Sequence, residues 1–123
     1  MNRKELFKQL NILCEELNDK YNINRGGCCY VAYCLAEQLE IHNISFIAVK
    51  YGYGSHFAIK VSDRYLNRDD YMKREITEYY SSSKELLDYY RHHRWNKTYR
   101  PKYNGCIKRI IKTIFGKYDY NRT

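Results

Sequence analysis

Leu6, Leu10, Leu13 and Leu17 recur at spacings of four, three and four, which puts them on one helical face. Phe7 and Cys14 widen the stripe, so the pattern predicts a first helix over residues 3–18, followed by a polar exit running to Arg25. Gly26-Gly27 breaks the pattern. From Cys28 a second series (Cys28, Ala32, Leu35, Ala36, Leu39) follows the helical period, and Tyr and Val on its other sides mark a largely buried helix. Asn43 and Ser45 mark a turn, and residues 46–51, rich in β-branched and aromatic side chains, read as a strand. After a loop at 52–55, residues 56–61 alternate: Phe57, Ile59 and Val61 face one way, His56, Ala58 and Lys60 the other. Ser62-Asp63-Arg64 turns the chain and residues 65–67 return as a third strand. The pattern between Asp69 and Tyr80 chooses no element. Ser82 and Glu85 form a capping box for a helix running to about Arg91. A basic, aromatic loop then holds Trp95 and Pro101, and a basic amphipathic helix closes the chain over 105–115, with Ile107, Ile110, Ile111 and Ile114 on its apolar face.

At 123 residues the chain suits one domain with one core, and 15 tyrosines against a single proline argue against disorder. No run of about 18 apolar residues exists, so no transmembrane helix is expected. The segment MNRKELFKQL carries charges through its apolar positions and does not read as a signal peptide; the expected compartment is the cytosol. A formal charge of +8 favours an acidic partner surface or a polyanion. The surplus of Lys, Asn, Tyr and Ile also fits an AT-rich coding sequence, which weakens that inference. Five cysteines, an odd number, point to free thiols, and no CxxC pair or zinc-finger spacing is present, so no metal or organic cofactor is expected.

Cys28 falls at the predicted start of a helix. The helix dipole and the first N–H groups there favour a thiolate. Gly27, with Gly26 before it, lets the backbone approach a substrate closely, and the Cys28 N–H is a donor for a developing oxyanion. The competing reading is a cysteine packed in the core. His56, with a reference pKa of about 6.5, suits the base that a thiol nucleophile needs. A third group should orient its ring. A two-residue turn at Ser62-Asp63 places Asp69 opposite His56, with Asn67 diagonal to it on the same face. A turn at Asp63-Arg64 keeps that parity but moves Asn67 away, and a three-residue turn presents Asp70 or Arg68 instead. Asn67 therefore leads, ahead of Asp69 and Asp70.

Gly27-Cys28-x-x-x-Ala32-x-x-Leu35-Ala36-x-x-Leu39, followed by a strand and then by His56-Phe57-Ala58-Ile59-Lys60-Val61-x-x-x-Tyr65-Leu66-Asn67, resembles the papain-like and transglutaminase-like cysteine hydrolases. The resemblance covers residues 24–70. It implies an α+β fold: a papain-like core whose cysteine-bearing N-terminal helix packs on a small antiparallel sheet, plus C-terminal helices. One domain would span 1–123, with a basic helical extension over 71–123. It further implies acyl-transfer chemistry on an amide or isopeptide bond of a protein or peptide, with Cys28 as nucleophile, His56 as base and Asn67 as the orienting group of a Cys-His-Asn triad. Cys29 is an alternative nucleophile, and Asn22 or Asn24 would join the Cys28 N–H as oxyanion donors. Gly27, Tyr53, Gly54 and Trp95 would line a substrate cleft, with Tyr51 as another candidate wall. The sequence departs from the family pattern in having Phe57 and Ala58, not Trp, after the His.

Two rivals remain. Residues 91–102 (RHHRWNKTYRPK) mix cations with Trp95 and Tyr99, which suits phosphate contacts and base stacking in a nucleic-acid or acidic-partner surface. Alternatively, the chain is a papain-like scaffold without chemistry.

Overall fold

The computed structural model describes residues 1–21, 27–52, 56–67, 75–93 and 104–118. These form an α+β arrangement of four helices and one four-stranded antiparallel sheet. In chain order they are α1 (Arg3–Tyr21), α2 (Cys28–Ile41), β1 (Ile47–Tyr51), β2 (Phe57–Val61), β3 (Arg64–Leu66), β4 (Ile76–Tyr80), α3 (Ser83–His92) and α4 (Asn104–Phe115). Among the described residues, no helix is long and apolar enough to cross a membrane.

α1 buries Leu6, Phe7, Leu10, Leu13, Cys14 and Leu17, the stripe read from the sequence, and runs three residues further than its spacing predicts. Asn2 caps it, its Oδ1 accepting the Glu5 N–H at 2.9 Å. α2 is buried nearly all round. It packs against β2, α3 and α4, and its run of Ala32, Leu35 and Ala36 sits at the centre of the core. The helix closes at Asn43, whose φ of 56° is the left-handed conformation common just past a helix end. There the Ile44 N–H donates to the Leu39 carbonyl at 2.9 Å.

The sheet order is β3-β2-β1-β4. Val61 pairs with Arg64, Lys60 with Tyr65 and Ile59 with Leu66, so the hairpin turn is the two-residue Ser62-Asp63 alternative. Side chains alternate as predicted. Ala48, Phe57, Ile59, Val61 and Leu66 join the helices in the main core, while Val49, Tyr51 and Ala58 form a second cluster with Tyr65 and Ile76. Phe57 is wholly buried, its ring 5.0 Å from that of Tyr89 on α3. Removing so enclosed an aromatic costs roughly 3–5 kcal/mol.

β4 is the element the sequence pattern did not reveal. Its middle residues are exposed, because it is an edge strand carrying no apolar alternation. It pairs with β1 and bulges at Lys50/Tyr51, where Glu78 faces Lys50 but Ile76 faces Tyr51. The chain after residue 71 is therefore more than a helical extension: it supplies a strand as well as α3 and α4. α3 starts at the predicted cap, where the Ser82 side chain accepts the Glu85 N–H. Glu85 Oε2 in turn accepts the Ser81 N–H at 2.9 Å. α4 turns Ile107, Ile111 and Phe115 inward, with Ile110 and Ile114 at the rim.

Candidate functional site

α2 begins at Cys28 with Gly27 as its cap. Glycine brings no side-chain oxygen to the first turn, so no side-chain cap bond forms. The first bond of the helical ladder runs from the Val31 N–H to the Gly27 carbonyl at 3.1 Å, which leaves the N–H groups of residues 28–30 ahead of it. Cys28 thus stands where the helix dipole favours negative charge, yet it is only 1% exposed and belongs to the main core cluster.

Cys29, the alternative nucleophile, is directed elsewhere. Its thiol donates to the Leu86 carbonyl of α3 at 3.6 Å, and burial, followed by the neighbouring Cys28, pushes its pKa up. It is held as S–H under α3. Cys14 and Cys34 are likewise core thiols, each pushed up to about 12 chiefly by burial.

His56 stands just before β2, 4% exposed. Its main-chain carbonyl accepts the Tyr51 N–H at 2.9 Å, one rung beyond the paired residues of β1 and β2. The imidazole stacks on the Tyr51 ring, centroids 6.1 Å apart and planes 27° apart. Tyr51, expected as a cleft wall, is therefore a buried neighbour of His56, next to the bulge opposite β4.

His56 Nε2 lies 2.7 Å from the main-chain carbonyl oxygen of Asn67. Asn67 is thus the residue that meets His56, but with its backbone rather than the side-chain amide expected of it. A carbonyl only accepts, so Nε2 carries the proton, and in the neutral ring Nδ1 is then the basic nitrogen. The Asn67 side chain has another task. Its Nδ2 donates to the Phe57 carbonyl at 3.2 Å.

Asn67 reaches this position by leaving β-geometry, with a φ of 60°. Asparagine is among the few residues with a side chain that adopt the left-handed region readily. The Asn67 N–H is held in turn by α1, donating to Asn11 Oδ1 at 3.0 Å, while Asn11 Nδ2 donates to the Tyr65 carbonyl at 3.0 Å. Asn11 was not singled out from the sequence. Its signal was a polar residue four after Phe7 and three before Cys14, interrupting the apolar side of α1.

Asp69, Asp70, Arg68, Asn22, Asn24, Tyr53, Gly54 and Trp95 lie outside the described residues. Among the described residues, no group of three His, Cys, Asp or Glu side chains is placed to hold a metal ion. A groove of about 580 Å³ lies at the turn end of the hairpin, lined by Asn2, Arg3, Lys4, Phe7 and residues 61–64, away from His56. Compared with family models, with curated proteins and with solved structures, the chain matches none.

Proposed function

We propose that this protein is a thiol acyl-transfer enzyme of the papain-like kind, acting on an amide or isopeptide bond of a protein or peptide. The observation that carries the reading is the 2.7 Å approach of His56 Nε2 to the Asn67 carbonyl in a buried setting. It gives the ring one tautomer, with Nδ1 as the base. A thiol nucleophile needs this arrangement of its imidazole.

In the proposed cycle the Cys28 thiol proton passes to His56 Nδ1 and the sulfur attacks the substrate carbonyl carbon. The Cys28 N–H, ahead of the α2 ladder, donates to the developing oxyanion. As the C–N bond breaks, the proton on Nδ1 goes to the departing amine, leaving a thioester on Cys28. Water or a second amine then attacks the thioester carbon and delivers a proton to Nδ1, which returns it to the sulfur as the C–S bond breaks. Throughout, Nε2–H stays on the Asn67 carbonyl, which also stabilises the imidazolium.

A second reading has its own observation. Cys28 is buried in the main core, and the buried imidazole is held by the Tyr51 ring and the Asn67 carbonyl. On this reading His56 is a structural pin joining the ends of β1, β2 and β3, and the chain is an inert scaffold.

Iodoacetamide labelling against pH, read by mass spectrometry in wild type and His56→Ala, separates the two. The enzyme reading expects Cys28 to label fast well below its reference pKa of about 8.5 and to slow when the imidazole is removed. Cys28 labelling no faster than Cys106, unchanged by the substitution, sinks it in favour of the scaffold.

A further inference from the structure

We infer that Asn11, in the middle of α1, is the positioning residue that sets the tautomer of His56 through the backbone of Asn67. The proposal rests on the reading of His56 as the base, and it names what holds that base ready.

β3 is an edge strand. Leu66 pairs inward with Ile59, so by strand alternation the main-chain groups of Tyr65 and Asn67 point away from β2. One residue of a parallel neighbour would satisfy both, its N–H donating to the Tyr65 carbonyl and its carbonyl accepting from the Asn67 N–H. Among the described residues no such strand pairs with β3, and the primary amide of Asn11 takes its place: Nδ2 donates to the Tyr65 carbonyl and Oδ1 accepts from the Asn67 N–H, each at 3.0 Å. Few other side chains carry a donor and an acceptor at the spacing that this needs.

The consequence falls on Asn67. With its N–H anchored outward to α1 and its φ at 60°, its carbonyl turns back toward the start of β2 and reaches His56 Nε2 at 2.7 Å. Its side chain completes the hold through the Phe57 carbonyl. Three elements meet at this one residue, and the one that lies furthest away in sequence, α1, grips the N–H. The hydrogen bonds of the Asn11 amide go to the backbone of Tyr65 and Asn67. Asn11 acts on the ring through the direction of one carbonyl.

The test reads the ring itself. In ¹⁵N-labelled protein, at a pH where His56 is neutral, long-range ¹⁵N–¹H spectra report which ring nitrogen carries the proton. Wild type is expected to show the Nε2–H form. In Asn11→Ala the ratio of Nε2–H to Nδ1–H forms should fall by roughly tenfold, the value of one lost hydrogen bond. Asn11→Asp retains an acceptor for the Asn67 N–H and should keep the wild-type ratio. Should Asn11→Ala fail to fold, Asn11→Ser replaces it, its hydroxyl being too short to span the two groups. A folded alanine or serine variant with an unchanged ring overturns the proposal, as does an equal shift in the aspartate variant, because a merely stabilising side chain would alter melting without sparing one substitution. The readout requires no turnover. Wild-type Cys28 that is inert beside a tautomer that responds to Asn11 would end the enzyme reading and leave this one standing.

Discussion

The two ends of the β2–β3 hairpin use the same unusual backbone conformation for different purposes. At the turn, Ser62 carries a φ of 56° and is exposed; at the open end, Asn67 carries 60° and is buried. The turn is a local solution: a positive φ matches the hand of a two-residue connection, and the solvent meets what the strands do not. At Asn67 the conformation is tied to contacts distant in sequence. It is held by Asn11 on α1, by the Phe57 carbonyl, and by the imidazole that its own carbonyl meets. One left-handed residue closes a hairpin. The other stores directional information at a buried histidine, and needs three partners to do so.

The largest consequence is expected from a β-branched residue at each position. Asn67→Val should cost roughly 3 kcal/mol, combining left-handed strain with a lost buried hydrogen bond. Ser62→Val should cost roughly 1 kcal/mol, since an exposed turn relaxes more freely. Equal urea midpoints for the two variants would erase the contrast.

Alanine and glycine at residue 67 sharpen it further. Asn67→Ala should lose about 2 kcal/mol, and Asn67→Gly, which is unstrained at positive φ, about half of that. The glycine variant keeps the carbonyl that meets His56, so the pH profile of Cys28 alkylation should be retained. Were the side-chain amide the orienting group, both variants would lose that profile together.

A core effect common to both ends comes next. Cys14 and Cys34 have their pKa values raised from 9.0 to about 12. The native state therefore holds these protons in a range where the unfolded chain releases them. Their stabilisation is complete below about pH 9 and is lost as pH rises from there toward 12, by roughly 1.4 kcal/mol per thiol per unit. Chemical denaturation between pH 8 and 10 should show this loss in the hairpin variants and wild type alike, and Cys34→Ala should flatten it. The raised pKa values predict that Cys14, Cys29 and Cys34 resist iodoacetamide at neutral pH in the folded protein. The smallest effect is a gain: Ser62→Gly should stabilise by up to about 0.5 kcal/mol, as glycine removes the strain that serine carries at the turn.

Much of this molecule was legible from short-range pattern. The α1 stripe, the start of α2 at Cys28, the alternation of β2 and the cap at Ser82 are local signals, because helical and strand periods and capping chemistry involve residues within a few positions of each other. β4 escaped because an exposed edge strand has no apolar alternation to display, and its pairing with β1 spans about 30 residues of chain. The sequence offered three turns, of which only Ser62-Asp63 puts Asn67 diagonally beside His56, and the observed pairing of Val61 with Arg64 selected it. The sequence did not decide which atoms of Asn67 would meet the ring. That depended on Asn11, 56 residues earlier, reaching from α1 to the free edge of β3. Periodicity identifies which face a residue occupies. The direction of a single carbonyl is set by backbone torsion, and here that torsion is held by a contact that exists only once the helix and the sheet have packed.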